Sequence, residues 1–589
     1  MTIGETLAEF DGADSMPFDE HNVSAALIKI IPENKDEISD ELRYELMAFD
    51  FQEDYVSIDT GWGTYFGPLG IWTQEDGTIV ESPSISLVTQ QTLDYWLMRS
   101  GEVVNPVLAA RYLGLVWDFT ERVTNTKPRY EIGIKYLNAL LDVAKGKYHK
   151  HHTVAFTKLE RALELAILFS NEKMIQECKS VVLMYEKEVA IDTSPGLWGY
   201  SFDLLLLNKK VSLTTEETAA IITQLEGILN RTTNTEGDAK VDPWAGEQAA
   251  TRLASYYAKN KSPKDVRRVM LALGKAFNHA IVESSPMQAQ SQMEMLYRLY
   301  KKFGLPESEE ILIKIREIGP AAANEMQVVS SSMQISNKEM EDFLNSITSG
   351  TVQQVLHNFI LQFLPFKEKA KEQLFQHASQ DGFLYTVSTK LYDSKGRVVA
   401  TIGSLDSDLE GHLVREISQD ITISSYFLRA ALQRIHEKSI LGKDEILSYI
   451  SSIPLIPEDH TEIIARAVDA YFLSDYMTFI HFAVPQIEEA MRNLLEMCGG
   501  TALKPQRGGG YHLRTFDDLL RDELLINKLG PDLTHYFRVL FTDPRGWNLR
   551  NLTCHGMVSA KYFSESTADR LLHALLCVGL VRRKDENAS

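Results

Sequence analysis

The sequence predicts a mainly α, multidomain helical protein with a short central β-hairpin and a compact helical bundle at its C-terminus. Three observations carry that expectation. The chain has 589 residues, and single cores stop growing beyond roughly 250–300 residues, so two to four domains are expected. Hydrophobic residues make up 44% and charged residues 24%, the balance of a folded chain rather than a disordered or fibrous one. Apolar residues recur three and four apart over long stretches, which is the period of one helix face.

Residues 1–100 read as a mixed, irregular domain. Residues 55–72 (YVSIDTGWGTYFGPLGIW) combine Gly, Pro and aromatics, which suits turns, short strands or an ordered loop. Gly61, Gly63, Gly67 and Gly70 resemble a phosphate loop only superficially. Their spacing fits neither GxGxxG nor the GxxxxGK(S/T) pattern, so a structural loop with aromatic packing is the better reading.

Residues 101–330 read as a helical, solenoid-like region. Between 153 and 170, Ala155, Leu159, Ala162, Leu163, Ala166 and Ile167 form one apolar stripe. Further helices are expected over residues 246–259, 264–282, 286–303 and 307–318. Pro263, Pro286, Gly304 and Pro306 punctuate them, with Pro near helix starts and Gly past an end. The paired helices suggest a solenoid, but no repeating consensus accompanies them.

Residues 331–460 read as a connecting region that contains the hairpin, at residues 383–402. FLYTVSTKLY is β-branched and aromatic, Asp393-Ser394-Lys395-Gly396 signals a turn, and RVVATI follows. Helical patterning returns at about Ser424. In residues 461–589, helices around 482–497, 517–529, 533–540, from 549 and over 565–580 suffice for a bundle. Residues 499–511 (GGTALKPQRGGGY), with five glycines and a proline, read as a flexible connection.

Bulk chemistry narrows the function. The net charge of −21 argues against a protein that coats nucleic acid, because phosphate contacts are made with Lys and Arg; it leaves room for a small local site. Cys178, Cys498, Cys554 and Cys577 form no CxxC pair and too sparse a set for a disulfide framework, which fits a reducing compartment. The acidic N-terminal stretch lacks the apolar core of a signal peptide, and no apolar run reaches about 18 residues. The expectation is a soluble cytoplasmic protein with no membrane segment. No cofactor or metal is expected, since no paired Asp/Glu motif has metal-like spacing. His149, His151 and His152 in KYHKHH could ligate a metal, but a solvated basic lead into the next helix is the plainer reading.

The sharpest signal is residues 546–556, GWNLRNLTCHG. Asn551 and His555 are four apart and share a helix face, with Arg550 beside them. These three side chains match what RNA cleavage without a metal needs. An imidazole can take the proton from a ribose 2′-OH or protonate the leaving 5′-oxygen. A guanidinium can grip phosphate oxygens in pairs and offset their growing charge. A carboxamide can orient either group. On spacing alone, an Arg and a His five apart are more often structural or solvated.

Context changes that weighting. Residues 479–580, through Pro485-Gln486-Ile487-Glu488-Glu489-Ala490-Met491-Arg492 and the later Arg550-Asn551 with His555-Gly556, resemble the DUF4209 family of the HEPN superfamily. Arg-Asn, three residues, then His is the usual catalytic pattern of HEPN ribonucleases. The resemblance covers under a quarter of the chain. It implies a HEPN-like helical bundle that dimerises to pair two motifs in one cleft. It implies a metal-independent endoribonuclease that leaves 2′,3′-cyclic phosphate ends, with Arg550, Asn551 and His555 as the catalytic set. It further implies a hydrolase used as a toxin or in antiviral defence against phage, with a regulatory protein partner or phage trigger and an RNA such as tRNA or mRNA as substrate.

Local charge is compatible with RNA. Residues 501–560 hold eight Lys/Arg against six Asp/Glu, a net of +2 in a chain of −21, and Arg507 and Arg545 are candidate RNA contacts. Glu488 and Arg492, four apart, read first as an ion pair inside the bundle and second as a support or phosphate contact near His555. His512 and His535 are further candidates for a second acid. Cys554 reads as a small packing residue. The alternative is a non-catalytic helical scaffold that uses the bundle for dimerisation or for RNA or protein binding.

Overall fold

The computed structural model describes residues 2–12, 16–34, 37–54, 62–74, 78–236, 241–327, 329–330, 334–380 and 382–581. The protein is mainly α, and the sheets among the described residues are three antiparallel two-stranded ones. The chain divides into two compact units, Met1–Lys314 and Ile315–Ser589.

The first unit is helical from its start, where the sequence suggested irregular structure. Ile3–Asp11, Glu20–Ile28 and Asp40–Asp50 are short helices. Thr2, Asp19 and Ser39 each accept a first-turn N–H and so cap them. The aromatic segment is partly visible: residues 55–61, Gly61 included, lie outside the described residues. Beyond them Trp62 and Phe66 are buried beside Phe119, and Gly70–Thr73 pairs with Ile79–Ser82. The expected middle helices form as His152–Leu168, Pro243–Lys259, Pro263–Ala280, Pro286–Lys302 and Ser308–Asn324. Pro243, Pro263 and Pro286 each sit in a first turn, where a missing N–H costs nothing. Helices also touch the next but one, as Tyr130–Lys145 does Glu172–Val189 and Thr215–Thr233 does Pro263–Ala280, the neighbour pattern of stacked helical hairpins.

KYHKHH is not a solvated segment throughout. His149 is 2% exposed and bonds Glu20 at 3.0 Å. Glu20 and Glu53 share the buried Lys158, at 2.8 and 2.7 Å, and Arg111 adds to Glu53 at 3.1 Å. His151 faces Asp19 and His152 faces the Tyr185 hydroxyl.

The second unit has one continuous core from Leu344 to Val578, which takes side chains from both sides of the boundary expected at residue 460. The central hairpin is shorter than expected, pairing Thr389–Tyr392 with Val398–Ile402. Gly382–Thr386 is a helical turn, because Tyr385 turns inward and its ring lies 5.4 Å from that of His412. Helical structure resumes at Leu409, not near Ser424, in the 29-residue helix Leu409–Glu437. The helices Thr461–Phe472, Tyr476–Met497 and Glu565–Val578 complete the bundle around the site. The glycine-rich connection is also more ordered than expected: Leu503–Pro505 and Tyr511–Leu513 pair as a β-ribbon.

Candidate functional site

The motif helix, Leu549–Cys554, is short and placed by what precedes it. Pro531–Phe537 leads into a wide helical turn, Arg538–Thr542. The chain then doubles back so that Trp547 N–H donates to the Val539 carbonyl at 2.9 Å. At Gly546 a Cβ would collide with that same carbonyl, so only glycine permits the approach. Asn548 caps the helix in the left-handed region (φ 51°), which Asn tolerates better than most residues. Leu549 and Thr553, four apart, are buried and pin one face. Arg550 and Asn551 lie half-buried, and Cys554 and His555 are exposed.

Arg550 is held from across the bundle. Its Nε donates to Glu488 Oε2 at 2.9 Å, and its Nη1 donates to Asn551 Oδ1 at 3.2 Å. Among the described residues its Nη2 has no partner. Glu488 lies on Tyr476–Met497, is 6% exposed and gives its other oxygen to Arg492. Arg492 also pairs with Glu489. Two cations and two carboxylates therefore balance. Asn551 braces the loop: its amide donates to Asn548 Oδ1 at 2.8 Å and to the Thr542 carbonyl at 3.4 Å. The Thr542 hydroxyl in turn donates to Asp517 at 3.0 Å.

His555 ends the helix, its N–H bonded to the Asn551 carbonyl at 3.1 Å. Gly556 (φ +63°) then reverses the chain. The imidazole is exposed and, among the described residues, makes no side-chain hydrogen bond. Arg550, Asn551, Glu488 and Arg492 thus form one bonded cluster, and His555 stands at the end of the same helix. Arg545 is drawn elsewhere: it chelates Asp543 with two bonds of 2.9 Å and reaches Asp408 at 3.4 Å. Arg507 lies in the ribbon's turn and His512 on its second strand, both exposed.

Two readings of single residues change. Cys554 is exposed rather than packed; partial shielding of its thiol pushes the pKa up, with Glu488 adding and Arg550 opposing, so it is a weak nucleophile. His535 is 3% exposed, 3.8 Å from Glu410, and burial pushes it down to about 4, so it is a neutral core residue. Sequence reasoning missed Asn548, Thr542 and Asp517, and it named Glu489 only within the resembling segment, not as a partner of Arg492. The spacing of Asn548 and Asn551 was a local signal for the first, whereas nothing local links Asp517 to Thr542. Among the described residues no group of three or more His, Cys, Asp or Glu is placed to hold a metal ion. No described helix is long and apolar enough to cross a membrane. Compared with family models, with curated proteins and with solved structures, the chain matches none.

Proposed function

We propose that the second unit is a metal-independent endoribonuclease of the HEPN type, in a regulated toxin or anti-phage effector. The observation that supports this reading best is the fixed Arg550, tied to buried Glu488, on the short helix that ends at the exposed His555, whose ring makes no hydrogen bond among the described residues. In this reading His555 takes the proton from a ribose 2′-OH. The 2′-oxygen then bonds to phosphorus, the bond from phosphorus to the 5′-oxygen breaks, and that oxygen leaves with a proton taken from water, to which the protonated His555 later returns its own. Arg550 offsets the charge that grows on the phosphate, using the Nη2 that Glu488 and Asn551 leave free. Asn551 holds the Arg550 guanidinium and the loop behind it. A homodimer would bring two such motifs to one RNA strand, and the first unit would supply regulation.

The test is cleavage of total RNA and tRNA in EDTA by the full chain, compared with His555→Ala and Arg550→Ala. Cleavage by the wild type alone, with 2′,3′-cyclic phosphate ends, is the expected result. Equal cleavage by all three would sink the assignment of the site.

One observation favours the scaffold reading. Glu488 and Glu489 already balance Arg550 and Arg492, so the resting cluster has little net pull on phosphate. If the wild type binds RNA or a second copy and never cuts, the cluster is a structural brace.

A further inference from the structure

The β-ribbon of Leu503–Pro505 and Tyr511–Leu513 lies in a locally basic stretch. Residues 499–515 contain Lys504, Arg507 and Arg514 and no acid, in a protein whose net charge is −21. The register pairs Leu503 with Leu513 and Pro505 with Tyr511, so these four share one face; Lys504 and His512 pair on the other. The apolar face is open: Leu503 is 49%, Leu513 54% and Tyr511 71% exposed. Lys504 is taken by Asp518 at 3.4 Å, and Arg514 is latched to Asp522 at 2.6 Å. Arg507, in the turn, makes no ion pair among the described residues and stands exposed next to three glycines, Gly508 to Gly510, all with positive φ.

Both ends of the ribbon join elements that carry residues of the site or of its support. It leaves the helix Tyr476–Met497, which carries Glu488 nine residues, or about 14 Å, before its end. It returns into Phe516–Leu520, whose Asp517 takes the Thr542 hydroxyl; the Thr542 carbonyl takes the Asn551 amide.

We infer that this ribbon is the substrate arm of the site and grips single-stranded RNA. The inference rests on the ribonuclease reading above. Tyr511 offers an uncovered ring on which a base can stack, and Arg507 offers a cation to the adjoining phosphate. Aromatic rings that stack bases beside cations that meet the backbone are how single strands are held without sequence preference, and the ribbon supplies one of each. A protein partner fits less well. Three exposed apolar side chains on a three-residue ribbon fall far short of the roughly 800 Å² per partner that a stable interface buries. Duplex RNA fits less well too, since its bases are already stacked and cannot use Tyr511.

The experiment uses the full chain carrying His555→Ala, so that RNA survives, and a short fluorescein-labelled oligouridylate read by anisotropy. Tyr511→Ala is expected to weaken binding about tenfold, the loss of one stacked base. Arg507→Glu is expected to weaken it and to flatten the dependence of log K on log salt by about 0.7, the loss of one phosphate contact. Both side chains are exposed, so unchanged melting temperatures will show that the fold is kept. Equal affinity of both variants and their parent overturns the inference, and the EDTA cleavage assay on chains with His555 intact then tells separately whether the ribonuclease reading survives. Absence of any oligouridylate binding also overturns it. If Tyr511→Ala instead turns a dimer into a monomer and leaves RNA affinity untouched, the ribbon joins two copies and the inference is wrong. If the ribbon variants lose binding yet the chain with His555 intact cuts nothing, the ribbon's grip on RNA stands, and its role as a substrate arm falls with the catalytic reading.

Discussion

Glu488 Oε2 lies 2.9 Å from Arg550 Nε, while its other oxygen faces Arg492 on its own helix. One buried carboxylate therefore serves two guanidinium groups, one of which is 62 residues away in sequence. Desolvated charge pairs of this kind are costly to break from one side, because the remaining charge loses its partner.

Glu488→Gln should destabilise the second unit by roughly 2 kcal/mol, the scale of a charged hydrogen bond, and should leave Arg550 and Arg492 to repel each other. On the ribonuclease reading, cleavage should fall by up to about a hundredfold, the cost of a shift of about 1 Å in a positioned group. Urea unfolding and initial rates measure the two effects. A double-mutant cycle with Arg550→Ala should show a coupling of about 0.5–3 kcal/mol; strict additivity would mean the bond contributes nothing.

Asn551 donates from its amide to two acceptors, Asn548 Oδ1 and the Thr542 carbonyl. A carboxylate cannot donate to either. Asn551→Asp should therefore lower stability by about 1–3 kcal/mol, even though the new group could still accept from Arg550. Thermal melts of Asn551→Asp beside Asn551→Ala check this. A melting temperature for the Asp variant equal to the wild type would show that the amide is not bracing the loop.

The middle helices were legible because their apolar positions recur at helical spacing and Pro263 and Pro286 mark two of their starts. The short N-terminal helices were not, since nine to eleven residues give too few turns for a period to stand out beside aromatic, glycine-rich neighbours. The long helix Leu409–Glu437 does carry a buried stripe in Leu413, Val414, Ile417 and Ile421, but it runs into the β-branched stretch Ile421-Thr422-Ile423, which blurs the pattern. At the site, spacing picked out Arg550, Asn551 and His555. It could not reveal that Glu488 reaches Arg550, because that contact depends on how two helices pack. Nor could it separate Arg545 from the site, since Asp543 and Asp408 claim it only once the chain is folded.

Lys158 is the shared cation of Glu20 and Glu53 in the first unit and is 1% exposed. Lys158→Met should cost about 3–5 kcal/mol, because two carboxylates lose their buried partner. The pH dependence follows from Glu20. Burial would raise its pKa, but Lys158 and the bond from His149 outweigh burial and hold it well below the usual 4.5. The unfolded chain therefore binds a proton there before the folded one does. The stabilisation is complete above pH 4.5 and is lost as pH falls below it. Glu20→Gln should flatten that acid limb; an unaltered limb would assign it to other groups.

His573 gives the second unit a pH dependence nearer neutrality. It is fully buried, with Nε2 3.0 Å from the Ile360 carbonyl and Nδ1 2.9 Å from the Tyr536 hydroxyl. A carbonyl only accepts, so Nε2 carries the hydrogen and Nδ1 takes the Tyr536 proton; the neutral ring satisfies both neighbours. Burial first, and the charge of Arg570 second, push its pKa down to about 3, against 6.5 when exposed. Between those values the unfolded state holds a proton that the folded state refuses, so stability falls as pH falls through the window, by up to about 1.4 kcal/mol per pH unit. His535, pushed down to about 4, adds a second such proton over its own range. Urea unfolding at pH 7, 6 and 5, followed through Trp547, the one tryptophan of the second unit, should show the steepest loss between pH 6 and 5. His535→Asn should about halve that slope. A stability that stays level from pH 7 to 5 would mean that both rings accept a proton inside the fold, and that the Tyr536 hydroxyl can turn to let His573 do so.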